Sequence, residues 1–293
     1  MQNSTMPVGA RRIETSSRRI ATAETVPVAS TVISEDGTTI AFERIGQGPA
    51  VILVDGALCY RGMGESRELA ELLCEHFTVI TYDRRGRGGS DDTPPYEVAR
   101  EVDDIAALVS AAGGSASLWG MSSGAVLALE AAVRLRGITK LALYEAPFIV
   151  DGSRPTTETQ WVRIDEAVVQ GHRGAAVKIF LQAVGVPRIV IAVMQLLPLW
   201  RKLKAIAHTL PYDGLLVRDQ QQGQPLPARR WGNVSVPTLV MDGGKSPAWM
   251  RHGSQALARV LPNAQYQTLP GQTHNLKPRA HAPTLAAFFH TGE

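Results

Sequence analysis

From about Val28 onward, apolar and polar positions fall into short blocks that switch repeatedly between a period of two and a period near 3.6. Val28 to Ile33 and Thr38 to Arg44 are strand-like runs joined by Glu35-Asp36-Gly37, and the Asp-Gly turn predicts an opening hairpin. Ala50 to Val54 is continuously apolar, the pattern of a strand buried on both faces. A helical pattern over Glu65 to Glu75 leads to a strand over Phe77 to Tyr82, and a second helix over Tyr96 to Ala111 leads to a strand over Ala116 to Trp119. The run from Ala125 to Ala132 is strongly helix-forming and precedes a strand over Lys140 to Tyr144. Such alternation predicts an α/β fold, a mostly parallel sheet with helices on both faces.

The alternation stops between residues 146 and 234. Helical patterns over Ala175 to Val184 and Val190 to Leu203 are interrupted by Pro187, Pro198 and Pro211, with no strand among them. Alternation resumes with a strand over Thr238 to Met241, a helix over Trp249 to Val260, a strand over Gln265 to Leu269 and a last helix over Pro283 to Phe289. The expected organisation is a core of residues 28–145 and 235–293 interrupted by a helical lid over 146–234. Residues 1–27 lack apolar periodicity and read as a mobile tail. Ser17-Arg18-Arg19 has no apolar stretch behind it of the kind an export signal requires, so a cytoplasmic location is expected.

Composition narrows the function class. Hydrophobic residues make up 44% and charged residues 19% of 293 positions, the balance of a soluble globular protein. A net charge of +3 with no dense basic stripe in the folded part argues against nucleic acid as a partner. The most apolar later stretch, Ile189 to Leu197, contains Gln195 and ends at Pro198, well short of the roughly 18 residues a spanning helix needs, and no membrane partner is expected. Cys59 and Cys74 are too few for a disulfide framework and read as free thiols, Cys74 as core and Cys59, beside the loop after the third strand, as a candidate reactive thiol.

Candidate chemistry collects where strands end. Gly120-Met121-Ser122-Ser123-Gly124 lies between a strand and a helix, and small residues two before and two after Ser122 are what a sharp, strained turn demands when it lifts a hydroxyl out of the sheet. The helix that follows places its positive end and free N–H groups beneath that hydroxyl. A serine needs a base to take its proton, and His274 alone among the seven histidines lies in a loop between the last strand and the last helix.

Four segments together resemble the alpha/beta-hydrolase fold family of the lid-bearing type over residues 28–290: Val54-Asp55-Gly56-Ala57, the turn Asp83 to Ser90, the Ser122 elbow, and Gly271-Gln272-Thr273-His274. The resemblance implies a Ser/His/acid triad, an oxyanion hole and no metal or organic cofactor. It also implies an architectural role for the Asp83 to Ser90 turn. The usual acid position of the family falls on Ser246, which carries no charge to stabilise an imidazolium. Glu145, ending the strand before the lid, occupies an alternative acid position used by haloalkane dehalogenases and zearalenone-type macrolactone hydrolases, and Asp242 is the second candidate. Oxyanion donors are expected from the backbone N–H groups of Ala57 and Ser123, with Gly56 shaping the turn. Asp55, where the family usually carries histidine, is either part of that turn or a ligand for a substrate hydroxyl.

The expected function is a serine hydrolase that cleaves a medium-sized apolar ester or lactone through an acyl-enzyme, with Ser122 as nucleophile, His274 as base and Glu145 behind it. Trp161, Trp200 and Trp231 are candidate walls of the substrate pocket. Carbon-carbon bond hydrolysis, a lyase or cyclase step, and a non-catalytic binding role are the alternatives.

Overall fold

The computed structural model describes Met1 and residues 27–275 and 277–290. The expected tail, apart from Met1 and Pro27, lies outside the described residues.

The strands are β1 (Val28–Ile33), β2 (Thr39–Ile45), β3 (Ala50–Val54), β4 (Thr78–Tyr82), β5 (Ala116–Met121), β6 (Ile138–Tyr144), β7 (Thr238–Gly243) and β8 (Ala264–Leu269). They form one sheet in the order β1-β2-β4-β3-β5-β6-β7-β8. The opening hairpin pairs antiparallel and joins β4 antiparallel, and every pairing from β4 through β8 is parallel. The order reverses at β3, so the chain builds outward in both directions from the centre.

Helices between the strands are α1 (Ser66–Leu73), α2 (Val98–Ala111), α3 (Ser123–Arg134), α10 (Ala248–Val260) and α11 (Pro278–His290). Alternation along β3 shows why both faces must be covered. Val51 and Leu53 join the core beneath α1 and α11, whereas Ile52 and Val54 join the core beneath α2 and α3. β5 repeats this, with Trp119 and Met121 on one side and Ala116 and Leu118 on the other. β3 is apolar at every position, and β5 is buried at every position with Ser117 as its polar side chain, because neither face meets water. The edge strand β8 instead carries the exposed positions Gln265, Tyr266, Gln267 and Thr268, and its polarity discourages pairing with a further strand.

Between β6 and β7 lie six helices: α4 (Glu158–Val169), α5 (Arg173–Ala183), α6 (Arg188–Met194), α7 (Pro198–Ile206), α8 (Leu210–Val217) and α9 (Ala228–Trp231). The pattern over Val190 to Leu203 divides into α6 and α7. Leu197 is extended at ψ 153° ahead of Pro198, which opens α7 at a position where the missing N–H costs nothing. The last helix starts at Pro278, five residues before the expected Pro283, which sits inside it. A proline removes one helical hydrogen bond and so marks a start from sequence, but here the preceding turn is already formed. No helix among the described residues is long and apolar enough to cross a membrane.

Candidate active site

β5 and α3 are separated by one residue. Ser122 stands between them at φ 54° and ψ −128°, a conformation that costs a side-chain-bearing residue about 1–3 kcal/mol and persists only when its surroundings impose it. The surroundings do. Its N–H is held by the Tyr144 carbonyl at 3.0 Å, and its own carbonyl accepts from Ala125 at 3.0 Å. A Cβ at Gly120 would lie 2.5 Å from the Gly124 carbonyl oxygen, and one at Gly124 would collide with the carbonyls of Val54 and Asp55. Both glycines of the five-residue pattern are therefore fixed by close backbone approach.

Glu145, the residue after β6, is fully buried and also adopts positive φ, at 47°. One carboxylate oxygen accepts the Gly243 N–H at 2.7 Å, and the other meets His274 Nδ1 at 2.8 Å. Tyr144 donates its hydroxyl to the Thr273 carbonyl at 2.6 Å, pinning the loop that carries the imidazole. Asp242, the second candidate acid, lies within β7, where its Oδ2 accepts from the Tyr266 hydroxyl at 2.5 Å. Burial pushes its carboxyl above the usual range. Ser246 is buried in the turn that follows. Of the two carboxylates, Glu145 is the one beside His274.

The loop after β3 approaches Ser122 closely: a Cβ on Gly56 would lie 3.1 Å from that of Ser122. Asp55 is turned inward, accepting from the Ser66 hydroxyl at the start of α1, and burial pushes its carboxyl up to about 6. That places Asp55 in the structural role rather than against a substrate. Asp83 accepts from the N–H groups of Arg61 and Gly89, each at 2.8 Å, and holds the turn as expected.

A buried ion cluster, not foreseen from the sequence, ties this loop to α8. Arg87 donates to the Gly56 carbonyl at 2.7 Å and to Asp213 at 2.7 Å, and Arg84 bridges Asp213 at 2.7 Å and Glu101 at 2.6 Å. The Ser123 hydroxyl donates to Asp213 at 2.7 Å. Burial opposes the charge on Asp213, yet Arg87 and Arg84 hold its carboxyl below the usual range. No motif marks Asp213, an isolated acid in Leu210-Pro211-Tyr212-Asp213-Gly214 whose partners are distant in sequence. Asp213→Ala leaves Arg87 without its countercharge, and the expected loss is about 3–5 kcal/mol in urea unfolding. A loss below about 1 kcal/mol would show that the cluster does not hold α8 to the sheet.

Ser122, Ser123, Ala57 and His274 all line one cavity of about 750 Å³. Its opposite wall comes from the segment between β6 and β7, chiefly Trp161, Ile164, Phe180, Val186 and Val190, and Trp249 of α10 completes it. Of the three tryptophans singled out from sequence, Trp161 alone is a cavity wall. Trp231 is buried against Phe148 with its N–H on Glu130, and Trp200 borders a separate surface depression. Cys59 and Cys74 are free, and burial, reinforced by Asp55 and Glu65, drives the Cys59 thiol far above its ordinary value, so it is not a reactive thiolate. A hydroxyl and an imidazole thus share one largely apolar chamber, with a buried carboxylate behind the imidazole, a set suited to moving a proton off the hydroxyl.

Comparison with known proteins agrees with this architecture. An alpha/beta hydrolase of Sphaerobacter thermophilus is 52% identical and superposes with a TM-score of 0.81, over 89% of this chain and 100% of that one. A pimeloyl-[acyl-carrier protein] methyl ester esterase of Xanthomonas axonopodis pv. citri is 29% identical over 240 residues, 78% of this chain and 89% of that protein. An uncharacterized hydrolase of Bacillus subtilis is 27% identical over 150 residues, 49% of this chain, and the match spans about half of that relative's length (54%). The sequence pattern of the alpha/beta hydrolase family matches residues 48–286, and the chain belongs to that family.

Proposed function

We propose that this chain is a serine hydrolase that cleaves a carboxylic ester or lactone of a medium-sized apolar substrate through an acyl-enzyme. The observation that carries the reading is the 2.8 Å contact between His274 Nδ1 and the buried Glu145 carboxylate, on an imidazole that shares its cavity with Ser122. With Nδ1–H held by Glu145, Nε2 is the free base. It takes the Ser122 proton as Oγ attacks the carbonyl carbon, and the tetrahedral oxyanion receives hydrogen bonds from the N–H groups of Ala57 and Ser123, each donor worth roughly 3–4 kcal/mol in the transition state. The imidazolium then protonates the leaving alkoxide. A water deprotonated by His274 attacks the acyl-enzyme and releases the acid, and the proton returns to Ser122.

The segment 146–234 acts as the lid, since it supplies the apolar wall opposite Ser122. The esterase named among the relatives supports ester chemistry. A non-catalytic reading rests on the uncharged Ser246 at the usual acid position, and the Glu145 carboxylate on His274 supplies what Ser246 lacks.

A fluorophosphonate probe is expected to label Ser122 covalently, with the label lost in Ser122→Ala and located by peptide mass spectrometry. Failure of the folded wild type to label would remove the acyl-enzyme mechanism. A panel of p-nitrophenyl esters of rising acyl length, run beside aromatic macrolactones, then reads the size of the chamber.

A further inference from the structure

One stretch of the segment between β6 and β7, beyond the side chains it lends to the chamber wall, is distinguished by its charge. From Arg173 to Tyr212 the chain contains no aspartate or glutamate, while Arg173, Lys178, Arg188, Arg201, Lys202 and Lys204 are all cationic. Within it, α6 and the turn after it leave large aliphatic side chains in solvent: Ile189 is 73% exposed, Val193 52% and Leu196 86%. Ile189 and Val193, four residues apart, share one stripe of α6, and Leu196 follows in the turn after it. Single exposed aliphatic residues need no explanation, but a contiguous ridge of them does.

What flanks the ridge points to its partner. On one side of α6, Arg188, Ala192 and Gln195 line an open pocket of about 360 Å³ together with Arg163 and Lys178. Three cations therefore border one small depression with no carboxylate in its lining, and Glu166, one turn along α4 from Arg163, is exposed to solvent. On the other side, Pro187 and Val190 belong to the wall of the chamber that holds Ser122. An aliphatic ridge, cations beside it and a substrate chamber opening next to it match the requirements of a helix lying in the plane of a lipid interface, apolar side inward and cations among anionic headgroups.

We propose that the α6 face docks on an anionic lipid surface, with Ile189, Val193 and Leu196 entering the headgroup-acyl boundary and Arg163, Lys178 and Arg188 receiving lipid phosphates. This departs from the expectation of no membrane partner, which considered only spanning segments. A peripheral contact requires neither a long helix nor a continuous apolar stretch.

The test is co-sedimentation of the full chain with vesicles of phosphatidylcholine alone and of phosphatidylcholine with about one third phosphatidylglycerol. The wild type is expected to bind the anionic vesicles at least about tenfold more tightly, with binding falling as salt rises. Ile189→Ser/Val193→Ser/Leu196→Ser and Lys178→Glu/Arg188→Glu are each expected to weaken that binding at least about tenfold while melting as the wild type does. Three results would overturn the proposal: no binding to either vesicle, binding that survives both variants, or a dimer seen by light scattering that the serine variant dissociates. The last would assign the ridge to a second copy of the chain.

Discussion

Ser122→Ala is expected to lower ester turnover by at least about 10⁴-fold, with KM nearly unchanged. Alanine removes only Oγ, so the chamber walls and the Ala57 and Ser123 N–H groups remain, and the residual rate is what oxyanion binding alone supplies. The substitution leaves the positive φ at this position in place, because backbone bonds to Tyr144 and Ala125 impose it. The variant should therefore melt within a few degrees of the wild type, which separates loss of chemistry from loss of fold. Turnover above about one percent of wild type in a protein free of carry-over would exclude Ser122 as the nucleophile.

Glu145→Gln is expected to lower kcat by about 10³- to 10⁴-fold, and Asp242→Asn to change it by less than about threefold. A glutamine can still accept the Gly243 N–H, so the loop geometry survives, but its amide donates toward His274 Nδ1 and leaves the proton on Nε2, where it blocks the base. Asp242 instead answers to Tyr266, and its amide variant changes that hydrogen bond while leaving the Glu145 contact to His274 in place. The comparison is decisive in both directions. Collapse of Asp242→Asn with Glu145→Gln near wild type would transfer the acid role to β7.

The sheet, its strand order of burial and the elbow were legible from sequence because each depends on local rules: continuous apolar runs for strands covered on both faces, glycine where backbones touch. The choice of acid was not legible from such local rules, and only the family resemblance favoured Glu145 over Asp242. β6 and β7 are adjacent and parallel, with Tyr144 opposite Met241, so Glu145 and Asp242 stand level at neighbouring strand ends. What separates them is backbone conformation. Asp242 remains in the pleat, opposite Thr268 of β8, whereas the left-handed turn at Glu145 takes its carboxylate out of the strand alternation and toward Gly243 and His274. A glutamate at positive φ has no sequence signature, unlike a glycine. The same limit hid Asp213, which acts through partners in the Asp83 to Ser90 turn and on α3, and it hid α4 and α8, which pack on other helices.

The division of labour around the Ser122 chamber has a practical side for anyone reshaping this enzyme. Gly120 and Gly124 sit where backbones already touch, so a side chain there would disrupt the elbow, and one at Gly56 would press on Ser122. Phe180, Val186 and Val190 are contributed by a separate stretch of chain and lie in ordinary helix or loop. A combinatorial library confined to these three positions reshapes the chamber while Ser122, His274 and Glu145 stay as they are, so the range of substrates that fit can be altered apart from the residues proposed to handle the proton.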